Sequence, residues 1–295
     1  MHTFASLVPQ IPLRDSRIGA AEIAALAEHS LRLEIETWPK PGLVSHIDAG
    51  SHSDMDARTF YRSATALRPF FTELAEAGER GDPMLTLRKI GLRAERAMLE
   101  ATGGVNTHRG AIFGLGLLCA AAGMSASGLV DRQLPLGVIV SRRWGRDIIG
   151  GPRPSESHGE MVSRRFGVGG ARLEAARGFP SIYLVGLPAL QSAAPWVPDD
   201  AEAARVQACF ALIASVDDTN ILHRGGMQGQ CFARQAAQSF LFEGGVAHRD
   251  WRRRAAAVHL AFVERGLSPG GAADLLAMSL FVMQLEQIHP ETAPP

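Results

Sequence analysis

Apolar and polar positions recur at helical intervals along nearly the whole chain, and no segment alternates cleanly as a half-buried strand does. Ala, Leu and Glu dominate from residue 16 to about 38, with Ile18, Ala21, Ala25 and Leu26 at helical spacing. Asp15 or Ser16 can cap that helix, and Pro39 and Pro41 stop it. A second helix is expected over 56–77, opened in capping-box fashion by Ser53 and Asp56 and kinked or broken at Pro69. Asp82 and Pro83 read as N-cap and N1 of a third, reaching about residue 101. The run LGVIV within 133–149 could pass for a strand, but its helical surroundings make it helix. Ser157 is expected to cap a short helix carrying Glu160, and Pro180 to interrupt or reshape the helix in GGARLEAARGFP. Asp199 opens a helix through 216, and further helical patterns cover 228–242, 248–264 and 269–287.

One stretch differs from the rest: TGGVNTHRGAIFGLGLLCAAAG, residues 102–123. After its polar opening it is apolar on every side, which places a helix inside a fold rather than on its skin. Its apolar part, about fourteen residues, falls short of the roughly twenty that span a bilayer. The helix start brings Asn106, Thr107, His108 and Arg109 together, with Asn106 or Thr107 as the cap. A basic pair at the positive end of a helix dipole calls for a negative group nearby. Gly103 and Gly104 would let a ligand approach the backbone there.

The expected fold is therefore all-α: a single-domain multi-helix bundle around a buried central helix. Residues 1–14, with Pro9 and Pro12, form a loose N-terminal arm, 15–288 a single all-helical catalytic domain, and 289–295 a frayed tail.

Composition narrows the function classes. At 295 residues, 46% hydrophobic and 20% charged, the chain has ample core for a globular protein. A formal net charge of zero argues against a nucleic-acid partner and a membrane surface. Arginine supplies nearly all the basic residues; Lys40 and Lys89 are the only lysines. Cys119, Cys209 and Cys231 lack metal spacing and read as reduced, buried thiols. With no basic segment leading an apolar run at the N-terminus, a cytoplasmic location is expected.

The ionisable residues gather at helix junctions. Glu34 and Lys40 flank the turn PKPG, and His52 and Asp54 follow in its loop. His158 lies close to Glu160, and Arg172 to Glu174, while Asp217, Asp218, Asn220, His223 and Arg224 crowd one helix end. In SPGGAADLL, Ser268 reads as N-cap, Pro269 as N1, Gly270 and Gly271 as first turn and Asp274 as one turn on. Each has a bland alternative. His46 reads as an ordinary loop histidine, and Ser268 with Pro269 as a helix start before it is a phosphate site. Glu160 and Glu174 can pair with Arg164 or Arg177 on the surface. Asp217 and Asp218, at a helix C-terminus, need a cation, either Arg224 or a metal. Taken together, hard carboxylates suited to Mg²⁺, cations suited to phosphate and glycine-softened helix ends describe a polyphosphate site. It is built without a Walker sequence, a Rossmann fingerprint or zinc spacing.

Five blocks, residues 34–55, 103–118, 170–180, 218–226 and 268–276, resemble the triphosphoribosyl-dephospho-CoA synthase family in order and spacing across nearly the whole chain. TWPKPGLVSH and VNTHRGAIFGLGLL look most like the malonate decarboxylase branch. Against the citrate lyase branch, Trp38 stands for Thr, Ser45 for Asp, Asp48 for Asn, Arg109 for Lys, Leu173 for Gly and Ala272 for Ser. The resemblance implies a helical enzyme that joins ATP to 3′-dephospho-CoA and releases adenine. Its product would pass to a holo-acyl-carrier-protein synthase and end on the acyl carrier protein of malonate decarboxylase. A homodimer is compatible with it. Breaking an N-glycosidic bond passes through an oxocarbenium-like state, so a carboxylate near the sugar and an acid–base pair are needed. Glu34 and Glu174 are the candidates for base and oxocarbenium stabiliser, with His108 donating to the base or to phosphate. Lys40, Arg109 and Arg224 would hold the triphosphate, and Asp54, Asp218 and Asp274 a Mg²⁺. His52, Asn106, Thr107, Arg172, Asn220, Ser268, Gly270 and Gly271 complete the expected substrate contacts. The rival readings are a metal-dependent nucleotide N-glycohydrolase and a non-catalytic nucleotide-binding helical module.

Overall fold

The computed structural model describes residues 18–152, 161–162, 165–193, 195–198 and 200–288. The expected arm and tail, the caps Asp15, Ser16, Ser157 and Asp199, and the pair His158 and Glu160 lie outside these residues. All described regular structure is helical: α1 (Ala20–Ile35), α2 (Ala57–Glu79), α3 (Met84–Thr102), α4 (Arg109–Ser127), α5 (Leu136–Gly150) and α6 (Gly170–Ala176) come first. A π-helical turn (Ile182–Gly186) leads into α7 (Leu187–Ala193), followed by α8 (Ala201–Ser215), α9 (Thr219–Phe242), α10 (Trp251–Glu264) and α11 (Gly270–Ile288).

Several helix ends sit where their chemistry puts them, and some differ from expectation. Asp56 Oδ1 accepts from both Thr59 N and Thr59 Oγ1 at 2.9 Å, so Asp56 alone opens α2. Pro69 neither breaks nor ends that helix. It lies on the exposed face together with Thr65, whose carbonyl it leaves without a donor, so water can take that bond. Pro83 is the N-cap of α3 rather than its first residue. Asp200 caps α8 by accepting from Ala203 N at 3.0 Å. Pro180 does reshape its segment: α6 ends before it, and Glu174 Oε1 accepts from Ser181 N at 2.7 Å where helix resumes.

The central helix is α4, with 13 of its 19 residues buried. By length and composition it would pass for a membrane span, so counting apolar residues does not settle its place. Packing does: α1, α2, α3, α5 and α11 all lie against it. Its glycines make this possible. A Cβ on Gly123 would stand 2.0 Å from Ala75 O of α2, and one on Gly78 of α2 would stand 1.8 Å from Ala120 O of α4. On another face, Gly110 and Gly114, one turn apart, admit Asp274 and Met278 of α11. The helix is thus close-packed against two neighbours by absent side chains. Gly103 and Gly104 both have positive φ (69° and 93°), which the turn between α3 and α4 requires, and a Cβ on either would meet open space.

Candidate active site

Three helix N-termini meet beside the C-terminal end of α1. Glu34, in the last turn of α1, would be badly placed against the helix dipole by itself. Lys40 corrects this: its Nζ donates to the Glu34 carbonyl at 2.6 Å and also to the Glu34 carboxylate. Both side chains are buried, Lys40 completely. The loop that returns Lys40 to α1 is held from α10, a contact with no local signature. His259, buried in α10, meets Lys40 O with Nδ1 at 2.6 Å and Asp48 Oδ1 with Nε2 at 3.2 Å. Asp48 Oδ2 accepts from Trp38 Nε1 at 3.1 Å. Trp38 and Asp48 are therefore one unit: the carboxylate offers one oxygen to the indole N–H and sets the other against His259.

Asp218 is the N-cap of α9 and not, as expected, a residue stranded at the end of α8. Its Oδ1 accepts from Asn220 N (2.8 Å) and Ile221 N (3.3 Å), and its Oδ2 accepts from Ala272 N of α11 at 2.9 Å. One carboxylate thus ties two helix starts together. Asp217 is exposed and pairs with Arg234 at 2.8 Å. Asp274 lies one turn into α11, against Gly110 at the start of α4, and accepts from the Ala111 N–H. Burial, then the charges of Glu34 and Asp218, push the Asp274 carboxyl well above the usual range. Burial also raises Glu34, against the pull of Lys40, and raises Asp218, against its N–H donors. Three carboxylates with one ammonium form an electrostatically incomplete cluster.

His108 closes the other side. It is the N-cap of α4, while Asn106 Oδ1 accepts from Arg109 N at 3.2 Å and serves the helix start from two residues earlier. His108 Nδ1 lies 2.7 Å from Ser63 Oγ, and Thr107 Oγ1 donates to Ser63 Oγ at 2.8 Å. Burial and the nearby Lys40 charge push the imidazole down to about 3, so it is neutral at ordinary pH. The basic pair at the dipole's positive end is thus one cation, Arg109, and that cation pairs with Glu95 at 3.2 Å.

The remaining expected residues divide. His52 Nε2 lies 2.9 Å from Ser268 Oγ, so that hydroxyl faces His52 instead of capping α11, which starts at Gly270. Arg224 reaches His52 Nδ1 at 3.3 Å and donates to Ser51 O and Gly266 O. Asn220 is exposed, with its amide against Gly270; Gly271 packs on Asp218. These sit at the α9 and α11 starts. Asp54 is 61% exposed beside His52 (3.6 Å), apart from the buried carboxylates. Arg172 binds the α5 carbonyl end, including Gly151 O at 3.0 Å and Pro152 O at 2.8 Å. Glu174 is engaged at Ser181. Among the described residues no three His, Cys, Asp or Glu side chains are grouped to hold a metal, so the expected trio of aspartates does not form. Cys119 and Cys209 are buried as expected, whereas Cys231 is exposed.

The family model described as CitG, ATP:dephospho-CoA triphosphoribosyl transferase, matches residues 20–293. A probable 2-(5''-triphosphoribosyl)-3'-dephosphocoenzyme-A synthase of Azotobacter vinelandii is 39% identical over 292 residues, covering 97% of both chains. Proteins of the same description from Pseudomonas putida and Vibrio cholerae are 38% identical (92% of this chain, 97% of the relative) and 36% identical (90% and 88%). No solved structure matches. The buried Glu34, Lys40, His108 and Asp218 with the half-buried Asp274 draw on blocks that this match spans, and the chain belongs to the ATP:dephospho-CoA triphosphoribosyl transferase family.

Proposed function

We propose that this enzyme joins ATP to the 2′-hydroxyl of 3′-dephospho-CoA with release of adenine, in the cytoplasm, and that its product supplies the acyl carrier protein of malonate decarboxylase. The observation that carries the reading is the convergence of the α4, α9 and α11 N-termini around carboxylates beside Lys40. Helix starts favour a polyphosphate, and the buried carboxylates favour a sugar that becomes cationic. Glu34 stabilises positive charge at the ribose and takes the hydroxyl proton; because adenine gains one proton as it leaves, the reaction is proton-neutral overall. Lys40 and Arg224 hold the triphosphate, which survives intact. Mg²⁺ enters with ATP. Asp274 with phosphate oxygens and water fits the way this ion is usually held, by one or two carboxylates and no all-protein cage. Its contribution is to neutralise phosphate charge and relieve the excess of carboxylate. The malonate assignment rests on the wording of the PKPG and central-helix blocks.

The test follows adenine and adduct by chromatography and mass spectrometry after incubation with ATP, Mg²⁺ and 3′-dephospho-CoA. Adenine and a triphosphoribosyl adduct, both requiring the acceptor, are expected. Adenine released without acceptor would replace this reading with glycohydrolysis; none from folded protein would leave a binding module. Loss of malonate decarboxylase activity on deleting the gene, restored by the plasmid-borne copy, checks the pathway.

A further inference from the structure

We infer that His108 acts as an uncharged Nε2–H donor to an acceptor atom of the bound adenine nucleotide, and that Ser63 is the positioning residue that sets this tautomer. The inference rests on the reading above for the ligand's class, but the tautomer stands on geometry. Ser63 Oγ lies 2.7 Å from His108 Nδ1 and 2.8 Å from Thr107 Oγ1; with Thr107 donating to it, the Ser63 hydrogen points at Nδ1. In that arrangement Nδ1 accepts, and a neutral ring carries its single proton on Nε2. Nε2 is the one buried side-chain nitrogen or oxygen among the described residues with no hydrogen-bond partner. Buried polar groups in native proteins are nearly always satisfied, so an orphan donor fixed in place marks where a ligand atom belongs.

The ring has little freedom to turn away. Phe60 of α2 meets it edge-on, with centroids 4.9 Å apart and planes at 83°. Its backbone N–H is directed at Met98 Sδ of α3 at 3.2 Å. The groups facing the imidazole are thus Ser63 and Phe60 from α2, Met98 from α3, Thr107 beside it and Lys40 across the cluster; the one charge among them is positive. A second cation there is disfavoured, which suits a neutral donor and not a proton-carrying acid. Acceptor atoms on adenine or on the ribose and phosphate oxygens match such a donor. No proton leaves His108 in this role.

Nitrogen-15 NMR of the histidine rings tests this on the full chain, with the His108 signals assigned by their absence from H108Q. At pH 7 the free protein is expected to show a protonated Nε2 and an unprotonated Nδ1, and Mg²⁺-ATP without acceptor is expected to shift the Nε2–H signal. A proton on Nδ1, an imidazolium, or an Nε2–H unmoved by saturating ATP would overturn the inference. If ATP moves the signal and no adduct forms, the inference stands and the assigned reaction fails. S63A is expected to lose the tautomer preference and to lower kcat about tenfold, the worth of one aligned hydrogen bond. H108Q, which keeps an N–H near the Nε2 position, is expected to retain more turnover than H108L; equal loss from two folded variants would count against the donor role.

Discussion

At the scale of single residues, the site is a set of groups that disturb one another and are left partly unsatisfied. Glu34 and Lys40 neutralise each other in full burial. E34Q leaves the buried Lys40 ammonium without its paired carboxylate and is expected to lower stability as well as to lose about 10²–10⁴ in kcat. His259 never touches the pair's side chains; it holds the Lys40 carbonyl. H259A is expected to cost about tenfold in kcat, and H259N, which restores a donor near Nδ1, to recover most of it. Steady-state kinetics with both variants decides this. The depressed imidazole of His108 has a stability signature with a definite sign. An unfolded histidine titrates near 6.5, and the folded one near 3. Between those values the unfolded chain binds the extra proton, so His108's contribution is complete above about pH 6.5 and is lost as pH falls, by at most about 1.4 kcal/mol per unit. Glu34, Asp218 and Asp274, raised in the fold, act with the opposite sign in acid. The difference in urea stability between wild type and H108Q isolates the histidine: wild type should lose ground to the variant from pH 6.5 downward.

Among elements, the contacts of α4 are made by glycines of two kinds, and they predict different outcomes. Gly78 and Gly123 face backbone carbonyls that cannot step aside. G78A or G123A is expected to cost at least about 1–3 kcal/mol through overpacking, read as a lower urea midpoint. Gly110 faces the end of the Asp274 side chain, which can rotate away. G110A is expected to leave stability nearly unchanged while displacing that carboxylate and cutting turnover. An unstable G110A or a fully active one would contradict this account of the α4–α11 contact. Most of the helices were legible because their 3.6-residue period survives, LGVIV included, and α4 because it is apolar on every side; the helical segment over 182–193 and the first turns of α9 were not. Their ends were less so. Asp218 reads locally as the tail of α8, yet it opens α9, because two N–H groups of α9 and one of α11 are waiting for it.

Taken as a whole, the molecule buries more negative than positive charge at the junction of α1, α4, α9 and α11, and a folded protein bears that only at a cost in stability. D274N removes one of the repelling carboxylates. It is expected to raise the thermal midpoint of the ligand-free protein and to abolish turnover, and Mg²⁺-ATP should stabilise wild type more than the variant. Differential scanning fluorimetry with and without Mg²⁺-ATP separates these effects; a destabilised D274N would mean the charges are better balanced than the cluster implies.

The sequence by itself determined the helical class, the buried place of residues 109–127 and the blocks from which the site is drawn, since periodicity, an apolar surface on every side and motif wording are local properties. It also marked Glu34, Lys40, His108, Asp218 and Asp274. What it could not rank were residues of the same type at similar junctions. Arg172, Glu174 and Asp54 carry the same chemistry, but the fold engages the first two at helix ends and leaves the third in solvent. Ser63 and His259 drew no notice, for a lone serine in a helix and a lone histidine on an apolar face have no sequence signature. They matter because the fold brings Ser63 to His108 across 45 residues and His259 to Lys40 across 219. Which polar groups share one buried volume is decided by packing, because only there is water removed and each charge made to answer to its neighbours.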